Sequence, residues 1–224
     1  MIQRSILGNT SLYNRVSYIL TTCVDRRVLH IGCTDSPYHM ERYKNKELLH
    51  IMLMDVAKEL WGIDTDMESV EWLRTEHGTG NILCANIEHV GSIMDDKKKY
   101  FELVLASEVL EHLSNPGLAL DSIQQYLRDD GCLLITVPNA FCIRNFLNSC
   151  LYFEKVHPDH KMWFSPRTIY QLLDMHGYIT TDIFPYVTRI RRSPAGIYDS
   201  IVRLWQHLFK WTSEGLIVVA RKHG

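Results

Sequence analysis

The string SEVLEH puts Glu108, Glu111 and His112 at spacing i, i+3, i+4, so that one helical turn would carry all three side chains on one face. A second source of imidazoles follows in HPDHKMWFSP, with His157 and His160 just ahead of Phe164-Ser165-Pro166. Imidazole titrates near working pH, so His112 or His160 suits a general base for a hydroxyl nucleophile, and Glu108 completes the catalytic candidates. The plain alternative is that His157 and His160 only tie down a surface loop. A further acid, Asp64, ends the run ELWGID at 59–64. A carboxylate at the tip of such a strand can accept hydrogen bonds from ribose hydroxyls, which makes Asp64 the candidate nucleoside ligand.

These groups need elements to hold them. Residues 101–106 read as a buried strand, and Asn115-Pro116 opens a helix with Leu120, Ile123 and Leu127 at helical spacing. Asp129-Asp130-Gly131 is its expected stop, and 132–137 is a second buried strand. Strand, helix and strand make a parallel crossover and imply an α/β sheet, whose ligands sit beyond the carboxyl ends of the strands. Glu108, Glu111 and His112 lie at that end of the first strand, Pro138-Asn139 at that end of the second. Upstream, 9–23 carries Leu12, Val16, Ile19 and Leu20 at 3.6-residue spacing, a helix expected to cover an edge of the pocket or sheet. Residues 27–33 form a strand ending at Gly32, 44–56 a helical run, 59–64 a strand, and 67–77 a helix stopped by Gly78.

Composition bounds the rest. A chain of 224 residues with 46% apolar and 22% charged residues is expected to be one globular domain. A formal net charge of −2 and a pI near 6.6 give no basic field for nucleic acid. Six cysteines without a CxxC pair are expected to be reduced, in a cytoplasmic protein, and no apolar run suggests a signal peptide or a membrane span. The connection from 139 to 164 is rich in aromatics (Phe141, Phe146, Tyr152, Phe153, Trp163, Phe164) and is expected to close over an acceptor, or else to form a local core. In the insert from 185 to 211, Arg189, Arg191, Arg192, Arg203 and Lys210 accompany Ile201, Leu204, Leu208 and Trp211. Such a helix packs its apolar face on the sheet or on a second subunit, a homodimer, more often than on a membrane.

Gly32 stands alone where a dinucleotide fingerprint has three glycines, one of which admits a pyrophosphate. That argues against NAD or FAD and suits a nucleoside without phosphate, such as S-adenosylmethionine. The strings VLHIGCTDS (28–36), GIDTDMESVEWL (62–73), ANIEHV (85–90), FELVLASEVLEHLSNP (101–116) and DDGCLLITVPNAF (129–141) together resemble class I, Rossmann-like S-adenosylmethionine-dependent methyltransferases. The resemblance implies an α/β fold with a seven-stranded, mostly parallel sheet, helices on both faces and an antiparallel last strand, with 178–185 and 215–221 as its closing strands. It implies a single domain over 1–224: an N-terminal helix (1–24), a cofactor core (25–139), a lid or acceptor loop (140–166) and a helical insert (185–212). By the same comparison His30 stands where the first strand usually has an acid. Gly32 and Asp35 would lie under the methionine part, Asp64 and Thr65 at the ribose, Asn86 and Ile87 beside the adenine, and Ala106 and Ser107 near the sulfonium.

The pair EVLEH and HPDH is also similar to the metal-binding pattern of small-RNA 2′-O-methyltransferases, which implies Glu108, Glu111, His112 and His160 as ligands of Mg or Mn. EVLEH occurs equally in methyltransferases without metal, where the acids cap the next loop and helix. HPDHKMWFSP resembles glycan and natural-product O-methyltransferases. The expected function is therefore O-methylation of a hydroxyl on a small molecule or a sugar/glycan precursor. The alternatives are metal-dependent ribose 2′-O-methylation of RNA and a non-catalytic S-adenosylmethionine-binding module.

Overall fold

The computed structural model describes residues 7–78, 80–90, 94–188 and 197–223. Its strands are β1 (Tyr13–Asn14), β2 (Arg27–Ile31), β3 (Glu59–Asp64), β4 (Ile82–Cys84), β5 (Phe101–Ser107), β6 (Leu127–Pro138), β7 (Tyr178–Val187) and β8 (Gly215–Lys222). The helices are α1 (Arg15–Cys23), α2 (His39–Lys44), α3 (Leu49–Met54), α4 (Met67–His77), α5 (Pro116–Tyr126), α6 (Ile143–Cys150), α7 (Pro166–Met175) and α8 (Ile197–Leu208). One sheet in the order β1-β7-β8-β6-β5-β2-β3-β4 holds all eight strands. The pairs from β4 to β6 are parallel, while β8 lies antiparallel between β6 and β7.

The alternation of β5 sends successive side chains to opposite faces. Leu103 and Leu105 join Ile19 and Cys23 of α1 and Leu53 of α3 on one face. Val104 and Ala106 join Leu120 and Ile123 of α5 and Ile169 and Leu173 of α7 on the other. Every strand of this centre is thus covered on both sides, which is why 101–106 and 132–137 read as continuous apolar runs. The Asn115 side chain accepts from the Leu118 N–H at 3.3 Å with Pro116 in the first turn, and Gly78 ends α4 in the left-handed conformation. Replacing Asn115 by Ala would cost about 1 kcal/mol through the lost cap.

Four sequence expectations need correction. The sheet has the expected seven strands and an eighth, because Tyr13–Asn14 pairs in parallel with Tyr186 and Val187. The helix expected over 9–23 therefore starts only at Arg15, capped by Asn14 through the Ser17 N–H. The run 44–56 breaks into α2 and α3, because Lys46 adopts a left-handed φ of 57° and the Glu47 N–H closes back on the Arg42 carbonyl. Finally, α5 ends at Tyr126, before Asp129-Asp130-Gly131, since Leu127 is already extended and opens β6.

Candidate active site

Two loops shape the cleft at the carboxyl ends of β2 and β3. Gly32 leaves β2 with φ of 71°, and its N–H donates to the Ile63 carbonyl at 2.8 Å. A Cβ there would come within 2.6 Å of Val109 Cγ2, so both conformation and space exclude a side chain. Next to it, the fully buried Thr34 donates from N–H and Oγ1 to Oδ2 of Asp64 at 2.9 and 2.8 Å. The N–H groups of Thr65 and Asp66 occupy Oδ1 at 2.8 and 3.2 Å. The Asp64 carboxylate is therefore fixed at the strand tip, where a nucleoside diol would meet it.

The other cofactor candidates fall around this tip in different ways. Asp35 has φ of 57° and pairs with Arg42 at 3.0 Å; burial pushes its carboxyl up while Arg42 and Arg15 oppose the shift. Asn86 uses its side-chain oxygen to cap the turn Ile87–His89, accepting from Glu88 N–H at 2.9 Å, and Ile87 is buried. Ala106 is buried at the end of β5, and Ser107 Oγ lies 3.0 Å from Thr136 Oγ1. His30 is committed elsewhere: its Nδ1 lies 3.2 Å from Nδ1 of His50, and burial, then the neighbouring ring, hold its pKa well below normal. A turn with no room for a Cβ beside an anchored carboxylate fits S-adenosylmethionine, with Gly32, Asp64 and Thr65 as the residues that would hold its nucleoside.

At the end of β5 the acid/histidine string does not form one helical turn. Glu108 adopts φ of 56°, and only Leu110–His112 forms a 3-10 turn. The left-handed residue carries the Glu108 carboxylate toward β6 and β7. There Oε1 accepts from Thr136 Oγ1 at 2.9 Å and Tyr186 hydroxyl at 2.8 Å, with the Arg15 guanidinium at 3.6 Å. Oε2 has no hydrogen-bond partner among the described residues, and the side chain keeps 29% of its exposure. Glu111 turns inward instead. Its carboxyl is fully buried with both oxygens unpartnered among the described residues, and burial and the Glu108 charge push its pKa up to about 9, so it carries a proton at neutral pH.

Of the four residues that the resemblance implies, His112 and His160 come together, and the third member of their group is His157. Rings of His112, His157 and His160 lie 5.6, 4.6 and 5.4 Å apart pairwise (112–157, 112–160, 157–160). One ring nitrogen from each lies within 4.8 Å of the other two. The Lys161 N–H, donating to the Glu111 carbonyl at 2.8 Å, ties the two segments together. Burial, then the neighbouring imidazoles, lower the pKa of His112 and of His160, while Glu108 pulls the other way on both. Neither Glu108 nor Glu111 joins this group: the first is turned toward Thr136 and Tyr186, and the second is buried.

Sequence reasoning missed Arg15, Thr136 and Tyr186, which orient Glu108 from α1, β6 and β7; contacts across 78 residues leave no local spacing to find them. The aromatic connection, which contains α6, does not build a local core: Phe141, Phe146, Phe153 and the 99%-exposed Tyr152 stand in solvent, Trp163 is partly buried, and Phe164 alone of the six is buried. Likewise α8 buries Val202 and Gln206, while Ile201, Leu204 and Leu208 remain exposed, so that row is not packed on the sheet. Arg189, Arg191 and Arg192 lie outside the described residues. No helix among those described is long and apolar enough to cross a membrane.

A parallel α/β sheet with a glycine turn, a strand-tip carboxylate and a polar cluster at the next strand end defines the class I fold of S-adenosylmethionine-dependent methyltransferases. The model of the methyltransferase domain family matches residues 12–182, and the chain belongs to that family. Solved structures agree on the fold. An S-adenosylmethionine-dependent methyltransferase from Archaeoglobus fulgidus is 18% identical, covering 92% of this chain and 90% of its own, with a TM-score of 0.56. A possible histamine N-methyltransferase from Thermotoga maritima is 12% identical, covering 93% and 88%, with a TM-score of 0.64. The 1,6-didemethyltoxoflavin-N1-methyltransferase of Burkholderia thailandensis, with bound 1,6-didemethyltoxoflavin and S-adenosylhomocysteine, is 16% identical over 94% and 77%, with a TM-score of 0.58. No curated protein sequence matches the chain.

Proposed function

We propose that the protein transfers a methyl group to an oxygen, the hydroxyl of a small molecule such as a sugar or glycan precursor. The observation that carries this reading is Glu108, an acid held in a left-handed backbone at the end of β5 with one oxygen fixed by Tyr186 and Thr136 and the other without a hydrogen-bond partner among the described residues. Backbone strain of this kind costs on the order of 1–3 kcal/mol and persists where the surroundings over-determine it, commonly at active sites. When bound, S-adenosylmethionine supplies an electrophilic methyl on sulfur. The chain's own part is to hold the acceptor above β5 and to receive the hydroxyl proton at Oε2 of Glu108, with the imidazoles of His112 and His160 beside it. Proton removal of this type contributes about 100-fold or more to the rate. The net charge of −2 gives no support to an RNA acceptor.

A nitrogen acceptor is the second reading, because the Burkholderia thailandensis neighbour is by name an N1-methyltransferase. A neutral amine needs no base before it attacks. The test is incubation with labelled S-adenosylmethionine and a panel of sugars, sugar conjugates and amines, with products located by mass spectrometry, for the wild type and Glu108→Gln. O-methylated product that falls by about 100-fold in the variant is the expected result. N-methylated product made equally well by both proteins would replace this reading with the second.

A further inference from the structure

The three imidazoles of His112, His157 and His160 outnumber what a single proton transfer needs, and all offer a nitrogen to one point. We propose that they form a divalent metal site for a borderline ion of the zinc type, held by nitrogen alone. Hard ions such as Mg²⁺ take oxygen donors, whereas imidazole suits zinc, cobalt, nickel and copper. The sequence pattern implies a mixed set with Glu108 and Glu111; the structure gives Glu108 to Tyr186 and Thr136 and buries Glu111, and replaces them with His157.

Two further observations fit a ligand here. Nδ1 of His160 is buried without a hydrogen-bond partner among the described residues. An Asp159 carboxylate oxygen lies 3.8 Å from Nδ1 of His157, so the tautomer with its proton on Nδ1 can donate to it, giving up the present Asp159 N–H contact at 3.3 Å and leaving Nε2 for a metal. Such a carboxylate behind a ligating histidine fixes its tautomer and ring orientation. A tetrahedral ion with bonds of about 2.0–2.1 Å keeps its donors about 3.4 Å apart. The present separation of up to 4.8 Å thus asks the rings to close by roughly 1.4 Å, which partly buried side chains on a 3-10 turn and the loop facing it can do by side-chain rotation. Three protein ligands leave a fourth position for water. If the methyl-transfer reading above holds, the acceptor oxygen can take that position and release its proton to Glu108 more readily; the binding of the ion does not rest on that reading.

The test uses the full chain without an affinity tag, stripped by chelator and titrated with Co²⁺, whose visible bands are intense in a four-coordinate nitrogen site. Binding of one Co²⁺ with such bands, abolished by Zn²⁺ and untouched by excess Mg²⁺, is expected. His157→Ala should weaken Co²⁺ binding at least about tenfold while S-adenosylhomocysteine binding is unchanged. Absence of the bands in the wild type, displacement by Mg²⁺, or a titration unchanged in His157→Ala would overturn the proposal. A wild type that binds Co²⁺ as expected but methylates no acceptor would leave the metal site standing and remove the methyl-transfer reading instead.

Discussion

The hydroxyl of Tyr186 on β7 donates to Oε1 of Glu108 at 2.8 Å and so ties the antiparallel end of the sheet to the tip of its central strand. Tyr186 is itself buried, and burial together with the Glu108 charge raises its pKa, so it stays a donor at all working pH values. Tyr186→Phe should lower kcat by about fivefold with little change in the KM for S-adenosylmethionine, because one net hydrogen bond of about 1 kcal/mol orients the proposed base. Steady-state kinetics on an acceptor found as above checks this.

The same relationship makes Gly215 indispensable. A Cβ at Gly215 would lie 2.2 Å from the Tyr186 ring, so Gly215→Ala must displace it and with it the support of Glu108. We expect Gly215→Ala to lose more activity than Tyr186→Phe, and also to lower the thermal midpoint, since overpacking costs about 1–3 kcal/mol. Thermal denaturation beside the same assay measures both.

Much of this arrangement was legible in the sequence, and the rest fails for identifiable reasons. The unit of β5, α5 and β6 follows from Asn115-Pro116 and two apolar runs, and Asp64 and Gly32 follow from their places at strand ends, all local signals. The orientation of Glu108 depends on Tyr186, which sits in an ordinary strand and acts only through sheet closure. The buried pair of His30 and His50 depends on α3 packing across β2, and His50 lies in a helical run with nothing to single it out. A left-handed φ at Glu108, a residue with no glycine-like freedom, is invisible to spacing rules, which is why the string SEVLEH reads as one helical turn and is not.

Glu111 gives a pH dependence of known sign. Its folded pKa of about 9 lies above the ordinary 4.5, so the folded state binds more protons and stability falls as pH rises from 4.5 toward 9. Glu111→Gln removes that slope. The variant should equal the wild type near pH 4.5 and exceed it in urea midpoint at pH 8; a midpoint lower than wild type at pH 8 would show that Glu111 is ionised in the fold.

The His30 and His50 pair acts in the opposite direction. Burial lowers both, His50 to about 4, so the unfolded chain takes up protons first and stability is lost as pH falls from 6.5 through 4. His50 alone contributes on the order of 3 kcal/mol across that window. Urea melts of Glu111→Gln between pH 7 and pH 4.5, where the opposing slope is absent, should show the midpoint falling steadily.

The proposed cofactor site centres on Asp64, held by Thr34, Thr65 and Asp66 beside the Gly32 turn. Calorimetric titration of S-adenosylhomocysteine into the wild type and Asp64→Ala tests it directly. Micromolar binding that weakens by at least about tenfold in the variant, for the roughly 1.5–3 kcal/mol of charged hydrogen bonds removed, is the predicted result. No binding to the wild type, or equal binding by both proteins, would contradict it.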